Sequence, residues 1–278
     1  MKQNINRLVQ CAIGIAILAA TLTDAGASVQ CSAPHFGSVK DGFRYGFPAQ
    51  IEKEGLRFAS SKVPISRRDV RQRILREINY LLLDRRSRVL LWLSMGDYFR
   101  PVMSPILKKY KLPQEFIYLA AIESSYNGRA LSSAGAFGYW QFIKSTAKCG
   151  PSGCPELDWT MLVSAVRDER GDVVKSTHAA ARYLAWMNGV KKISFEGKGD
   201  QEGFNDWLLA AAAYNAGPAR VTQRLNSFGA KSYWDVPLPL ETERYVPRWI
   251  AVGIISKYRD FYGVQVPSRG AMSFETLS

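Results

Sequence analysis

The sequence predicts an all-α protein. Apolar residues recur at spacings of three and four along most of the chain, and few stretches alternate in the manner of strands. Residues that open or stop helices, such as Pro113 and the pair Gly217-Pro218, punctuate the periodic runs. At 278 residues the chain is long enough for one large domain, or for a domain with a smaller helical extension. Hydrophobic residues at 47% and charged residues at 22% are the proportions of a chain that buries a core, which excludes disorder as the main state.

The elements follow in order. Lys2 and Arg7 precede an apolar run from Leu8 to Leu22, and Ala25-Gly26-Ala27 supplies small residues after it. Residues 1–27 are therefore expected to be a secretory signal peptide cut after Ala27, with an uncleaved anchor as the alternative. Residues 28–66 carry Gly, Pro, Ser and scattered aromatics without a period and are expected to form an extended lead-in. Residues 67–110 read as a helical extension. Ile74, Ile78, Leu81 and Leu82 lie on one face of a first helix, and Val89 to Phe99 form a second. Pro101 and Pro105 then interrupt the chain before another short turn of helix to Tyr110. In the main domain, residues 111–265, Pro113 opens a helix reaching Ser124, with Glu115 in its first turn. Further helices are expected over Asp168 to Asn188, Asn205 to Asn215 and Tyr245 to Tyr258. Residues 266–278 form a tail.

The net charge of +13 falls by one when the signal leaves with Lys2, Arg7 and Asp24. Such an excess either attracts an anionic polymer or is a solvated basic surface. An exported protein rarely meets nucleic acid, so cell-wall peptides and anionic envelope polymers are the expected partners. Four cysteines are present, and Cys11 leaves with the signal. In an oxidising compartment Cys149 and Cys154 could close the turn Gly150-Pro151-Ser152-Gly153 as a disulfide; two free thiols are the alternative. Cys31 could carry an acyl anchor, but Gln30 makes a poor sequence for it. No second Cys or His pair stands at zinc-ligand spacing, so no metal is expected.

Glu123 shares a helix face with Phe116 and Ala120, which places a carboxylate among apolar residues at the end of a helix. Burial there raises its pKa and suits it to donate a proton near neutral pH. After it come Ser124-Ser125-Tyr126 and then Ala130-Leu131-Ser132-Ser133-Ala134-Gly135-Ala136-Phe137-Gly138-Tyr139-Trp140-Gln141. Small residues that a ligand can approach, the flat faces of Tyr139 and Trp140, and the polar groups of Ser132 and Gln141 make up the mixture a sugar needs. No other Asp or Glu lies between Phe116 and Pro155.

The run from Glu123 to Ala147 resembles the signature of lytic transglycosylases with the soluble-lytic-transglycosylase domain, whose core is akin to goose-type lysozyme. Leu112-Pro113-Gln114-Glu115-Phe116-Ile117-Tyr118-Leu119 resembles the family's approach to that glutamate. Asp168-Glu169-Arg170-Gly171-Asp172 with Ser176 to Leu184 is similar to a block of the membrane-bound lytic murein transglycosylase D subgroup. Ala213-Tyr214-Asn215-Ala216-Gly217 and Glu241-Thr242-Glu243-Arg244-Tyr245-Val246 complete the set, in family order. The resemblance implies a lysozyme-like helical fold over residues 111–265. It gives Glu123 the role of catalytic acid, with Ser132 and Gln141 contacting the sugar and Ile143 lining the groove. Tyr214 and Asn215 orient the glycan, and the hydroxyl of Tyr245 sits near the carboxyl. The implied partner is the peptidoglycan glycan strand, with no metal or cofactor. Gly128 and Lys144 stand where prolines are common, with an expected effect on loop stiffness only. The chain ends soon after the last block, so the family's LysM repeats are not expected.

The expected reaction is cleavage between N-acetylmuramic acid and N-acetylglucosamine by a lone carboxylate, leaving a 1,6-anhydro ring. One alternative is a lysozyme that uses water, with Glu241 or Glu243 as its base. The other is a non-catalytic wall-binding module.

Overall fold

The computed structural model describes residues 43–148, 161–189, 193–195, 199–201, 203–266 and 269–273. The expected signal peptide, Cys31 and the Cys149–Cys154 turn lie outside these residues. The described residues are mostly helical, as the periodicity predicts, with strands only in two small antiparallel hairpins and a few isolated bridges. Among them no helix is long and apolar enough to cross a membrane.

The stretch expected as an extended lead-in is folded over its described part. Helix α1 (Ala49–Glu54) precedes a hairpin of β1 (Leu56–Phe58) and β2 (Ser61–Val63). Ala59 and Ser60, both at positive φ, form its two-residue turn, which suits the right-handed twist of paired strands. Tyr45, Phe47, Ile51, Leu56, Phe58 and Val63 are all buried. The buried Asn79 side chain accepts from the Tyr45 amide at 2.9 Å and donates to its carbonyl at 2.8 Å, tying this segment to the next helix.

That helix, α2 (Arg68–Asn79), buries Val70, Ile74 and Ile78 and runs into a wider π-turn over Tyr80–Asp84. α3 (Arg86–Lys109) is a single helix and passes through Pro101 and Pro105, where the sequence predicts an interruption. Both prolines sit on the solvent side, one turn apart, while Val102, Met103, Ile106 and Leu107 keep the buried stripe continuous. The carbonyls deprived of partners therefore face water, and packing outweighs the local penalty of proline.

A 3-10 turn (Gln114–Phe116) leads into α4 (Ile117–Ser124). α5 (Lys144–Ala147) is one turn long, and α6 (Val173–Met187) starts at Asp172, whose side chain accepts from the Lys175 amide. The second hairpin comprises β3 (Ile193–Phe195) and β4 (Gly199–Gln201). α7 (Trp207–Ala216) is capped by Asp206 and ends at Gly217, whose φ of 87° a side chain would resist. Gly217-Pro218 stops α7, as expected, and Pro218 is also the first residue of a further helix, α8 (Pro218–Phe228), which the periodicity does not predict.

α9 (Leu240–Lys257) begins five residues earlier than the periodicity suggests, which puts Glu241 and Glu243 in its first turn. Pro247 lies inside this helix and is buried. The Glu243 carbonyl, left without the Pro247 amide, accepts instead from Arg73 at 3.1 Å and from the Tyr233 hydroxyl at 2.9 Å. A buried backbone acceptor is thus satisfied by side chains from two other segments.

The core is centred on Trp249 of α9, which is fully buried. Phe116 lies 4.6 Å from it and Phe58 4.8 Å, ring centre to ring centre, and its indole N–H donates to the Glu115 carbonyl at 2.8 Å. Burying a large apolar side chain of this kind stabilises by about 1.5–3 kcal/mol. The cluster fixes α4 against α9, and those two helices carry the residues that matter next.

Candidate active site

Glu123 sits in the last turn of α4, and Tyr245 one turn and a half into α9. The Tyr245 hydroxyl donates to Glu123 Oε1 at 2.5 Å. Glu123 remains partly open to solvent, whereas Tyr245 is buried. Enough protein surrounds the carboxyl for burial to raise its pKa to about 7; the Tyr245 bond works against this, and the charge of Glu241 adds to it. Burial and the nearby Glu123 charge push the Tyr245 hydroxyl far above its usual range, so it stays a donor. The pair combines a carboxyl poised to hold or lose a proton at neutral pH with a neutral donor that steadies its anion.

The turn after Glu123 is unusual. Ser125 and Tyr126 both have positive φ, at 56° and 58°. Their amides return to the carbonyls of Ala121 and Ala120 at 2.8 and 3.2 Å, so left-handed residues close the helix end, here without the usual glycine. The strain is held by side-chain anchors. Trp92 donates to Ser125 Oγ at 2.8 Å and the Tyr126 hydroxyl to the Ile117 carbonyl at 3.1 Å. Gly96 leaves room for that hydroxyl; a Cβ there would lie 2.9 Å from it. Strained backbone persists only where its surroundings over-determine it, and here it fixes where the Glu123 helix stops.

The loop that follows is folded on itself. The Ser132 amide donates to the Ala136 carbonyl at 2.9 Å, and Ser132 Oγ accepts from the Ala136 amide at 3.0 Å. Gln141, at φ 50°, donates both amide hydrogens, to the carbonyls of Ala130 (3.0 Å) and Gly138 (2.9 Å). Its Oε1 acceptor is what it can still offer a hydroxyl. Ser124 Oγ lies 2.8 Å from the Tyr139 carbonyl and holds the loop to α4. Arg170, almost fully buried, pairs with Asp168 at 2.6 Å and donates to the carbonyls of Gly135 and Phe142. Asp168 and Arg170 thus brace the loop, while Glu169 pairs with Arg167 and Lys175.

Three expectations about this loop are corrected. Trp140 shows no flat face to a ligand: it is fully buried and donates to Thr177 at 3.0 Å. Gly138 serves close packing of the chain on itself, since a Cβ there would lie 1.8 Å from the Arg170 carbonyl oxygen. Gly128 governs more than stiffness, because its missing Cβ makes room for the Tyr139 ring, 2.6 Å from where that atom would be.

Tyr214, on α7, donates its hydroxyl to the Trp140 carbonyl at 2.6 Å. Burial and the Glu123 charge raise its pKa well above the usual range, which places it in the same electrostatic field as the carboxyl. Its hydroxyl is committed to the loop, so its ring is what remains for a ligand. The next residue, Asn215, is held from both sides: Thr242 donates to its Oδ1 at 2.8 Å, and its Nδ2 donates to Glu241 at 3.3 Å. Thr242 and Glu241 therefore fix the orientation of the amide. Thr242 carries no local sign of this role, although it lies beside Glu241. Glu243 lines a separate small cleft with Arg73, Arg76 and Glu77. Ile143 follows Phe142 at the start of α5 and is 42% exposed. Phe142 packs against Tyr214 and Tyr183, and Tyr183 stacks on Trp186. His178 accepts or donates to the Tyr110 hydroxyl at 3.0 Å, a structural contact. Among the described residues no group of His, Cys, Asp and Glu could hold a metal ion.

Residues 102–237 match the family model described as the transglycosylase SLT domain. The membrane-bound lytic murein transglycosylase D of Escherichia coli (strain K12) is 34% identical over 166 residues, covering 58% of this chain and 32% of that protein. A putative tributyltin chloride resistance protein of Alteromonas sp. (strain M-1) is 29% identical over 126 residues, covering 45% of this chain and 51% of the relative. The match thus spans about a third of the first relative's length and about half of the second's. Among solved structures, an inactive mutant of the lytic transglycosylase Slt from Pseudomonas aeruginosa superposes with a TM-score of 0.42 at 24% identity, over 60% of this chain and 25% of the other. Glu123, Ser132, Gln141, Ile143, Tyr214 and Asn215 all fall inside the residues that match the transglycosylase SLT domain model, a stretch of just under half the chain.

Proposed function

We propose that this protein is an exported peptidoglycan lytic transglycosylase that cuts between N-acetylmuramic acid and N-acetylglucosamine with Glu123 as its one catalytic carboxylate. The observation that carries the reading is the pair of Glu123 and Tyr245: a carboxyl raised to about 7, partly open, with one oxygen fixed by a neutral donor. The match of residues 102–237 to the transglycosylase SLT domain model and the names of the relatives support the same reaction class.

In the first step protonated Glu123 gives its proton to the oxygen bridging the two sugars, and the bond from that oxygen to the muramyl C1 breaks. The Tyr245 bond to Oε1 leaves Oε2 as the oxygen that carries the proton. The carboxylate formed is stabilised by the Tyr245 hydroxyl and stands beside the positive charge that develops on the ring. It then takes the proton of the muramyl 6-hydroxyl while that oxygen bonds to C1. The ring closes as a 1,6-anhydro sugar, Glu123 regains its proton, and no water is consumed. Most glycosidases use two carboxylates; an internal hydroxyl as nucleophile removes that requirement. Ser132, the Gln141 acceptor and Asn215 are the polar groups assigned to the sugar rim, and Ile143 and the Tyr214 ring the apolar surfaces.

A water-using hydrolysis is the second reading, and Glu241 favours it, being near enough to act on the charge of Glu123. Against it, the Glu241 carboxylate is engaged by Asn215. The test of catalysis is clearance of purified peptidoglycan sacculi, with Glu123→Gln alongside. Clearance by the wild type and none by the variant is the expected result. Equal clearance by both, or none by either, overturns the proposal.

A further inference from the structure

A cavity of about 650 Å³ lies away from Glu123, between the N-terminal hairpin and the far ends of α4 and α9. Its walls include Tyr118 from the first turns of α4 and Ile254 from the last turns of α9. At about 1.5 Å per residue, Ile254 is some 13 Å along α9 from Tyr245. Ile51, Leu56 and Phe58 provide an apolar floor, and Gly253 allows Phe58 to lie on α9, since a Cβ there would fall 2.3 Å from its ring.

Around this floor stand three cations, Arg57, Arg100 and Lys257, and two carboxylates, Glu54 and Glu115. Glu54, Arg57 and Lys257 are exposed at the rim of the cavity, and Arg100 and Glu115 are half-buried. Among the described residues these five form no ion pair with one another. Arg57 donates to the Ser60 carbonyl, Arg100 reaches the Tyr118 hydroxyl at 3.4 Å and Asp97 at 3.9 Å, and Glu54 accepts from Gln50. Glu115 uses only its backbone carbonyl, as acceptor for Trp249. The cavity volume is that of a small-molecule site, too small for a folded partner. Its charges ask for a ligand with more carboxylates than ammonium groups and with small apolar side chains.

We propose that this cavity is a binding site for a short zwitterionic peptide, its carboxylates on Arg57, Arg100 and Lys257 and its ammonium on Glu115. The choice of a wall stem peptide as the ligand rests on the proposed function, since such peptides accompany every glycan strand and combine carboxylates, a free amine and alanine methyls. The site itself does not depend on Glu123.

The probe is the glycan-free tetrapeptide L-Ala–γ-D-Glu–meso-diaminopimelate–D-Ala, titrated calorimetrically into the full-length Glu123→Gln chain. Glu115→Gln and Arg57→Ala in that background each remove one ligand contact from a residue with no structural side-chain partner beyond Ser60. Each is expected to weaken binding about tenfold, the size of one charge-assisted hydrogen bond. Amide resonances of Gly55 and Gly253 are expected to shift on binding. The proposal is overturned if the tetrapeptide does not bind, or if it binds with an affinity that neither variant changes. It is also overturned if a glycan oligosaccharide displaces it, which would put the peptide in the catalytic region. Sacculus clearance by the wild type, run in parallel, separates the two claims: a peptide that binds to a protein that does not clear would leave this site standing and remove the enzyme reading.

Discussion

Replacing Glu123 with glutamine is expected to make the protein more stable while it removes activity, and the gain is expected to depend on pH. Glutamine keeps the shape of the side chain and an oxygen for the Tyr245 hydroxyl, but it never ionises. The Glu123 carboxyl rises from an ordinary 4.5 in the unfolded chain to about 7 in the folded one. Below the lower value both states hold the proton and the group adds nothing. Between the two values the folded state still holds it while the unfolded state has released it, so wild-type stability falls as pH rises. Above the upper value the full difference applies, about 3 kcal/mol at 1.36 kcal/mol for each tenfold change. Urea unfolding of both proteins at about pH 4.5 and about pH 8 reads this directly. The variant should exceed the wild type by about 3 kcal/mol at the higher pH, roughly 6 to 12 °C in Tm for a chain of this size. At the lower pH the two should nearly coincide. A difference that is the same at both pH values, or a variant less stable at the higher one, would refute the assignment of a buried, raised carboxyl.

Tyr245→Phe removes the donor that steadies the Glu123 anion; a tenfold to hundredfold loss of kcat is expected, with the alkaline fall of activity moved to higher pH, both read from pH profiles of sacculus clearance. Glu241→Gln removes a charge that keeps the proton on Glu123, so the same alkaline limb should move to lower pH. Gly138→Ala would drive a Cβ into the Arg170 carbonyl at a residue of φ 82°, and should destabilise by about 2 kcal/mol or more in chemical denaturation, with Ala at Gly135, where nothing lies within 4 Å, as the milder control. Glu77→Ala would leave Arg244 and Arg248 without the buried carboxylate that both bind, at a cost of about 3 kcal/mol in the same assay.

Much of this architecture is legible in the sequence because helix periodicity is local. The stripe of Ile74 and Ile78 and the helix stop at Gly217 need no tertiary knowledge, whereas the helix expected from Asp168 starts only after the cap at Asp172. The parts that were not legible depend on partners far along the chain. The hairpin at residues 56–63 turns through Ala59-Ser60 rather than an Asn-Gly pair, so it carries no turn signal. Pro247 reads as a helix start until Arg73 and Tyr233 are seen to bond the carbonyl it frees. At the site, the face shared by Phe116, Ala120 and Glu123 foretells a carboxyl among apolar groups, but not its bond to Tyr245, which is implied only by the family resemblance. Trp140 illustrates the opposite error. An indole beside glycines suggests a sugar platform, and only the packing of Thr177 against it identifies a core residue. Thr242 could have been found from its place next to Glu241, yet nothing local signals that it orients Asn215.

The central claim is that one carboxylate cuts the glycan without water. Digestion of sacculi in water enriched in oxygen-18, followed by mass spectrometry of the released muropeptides, tests it most directly. The account predicts anhydromuramyl ends that carry no label and that are absent with Glu123→Gln; reducing ends labelled at C1 would contradict it and make the enzyme a hydrolase.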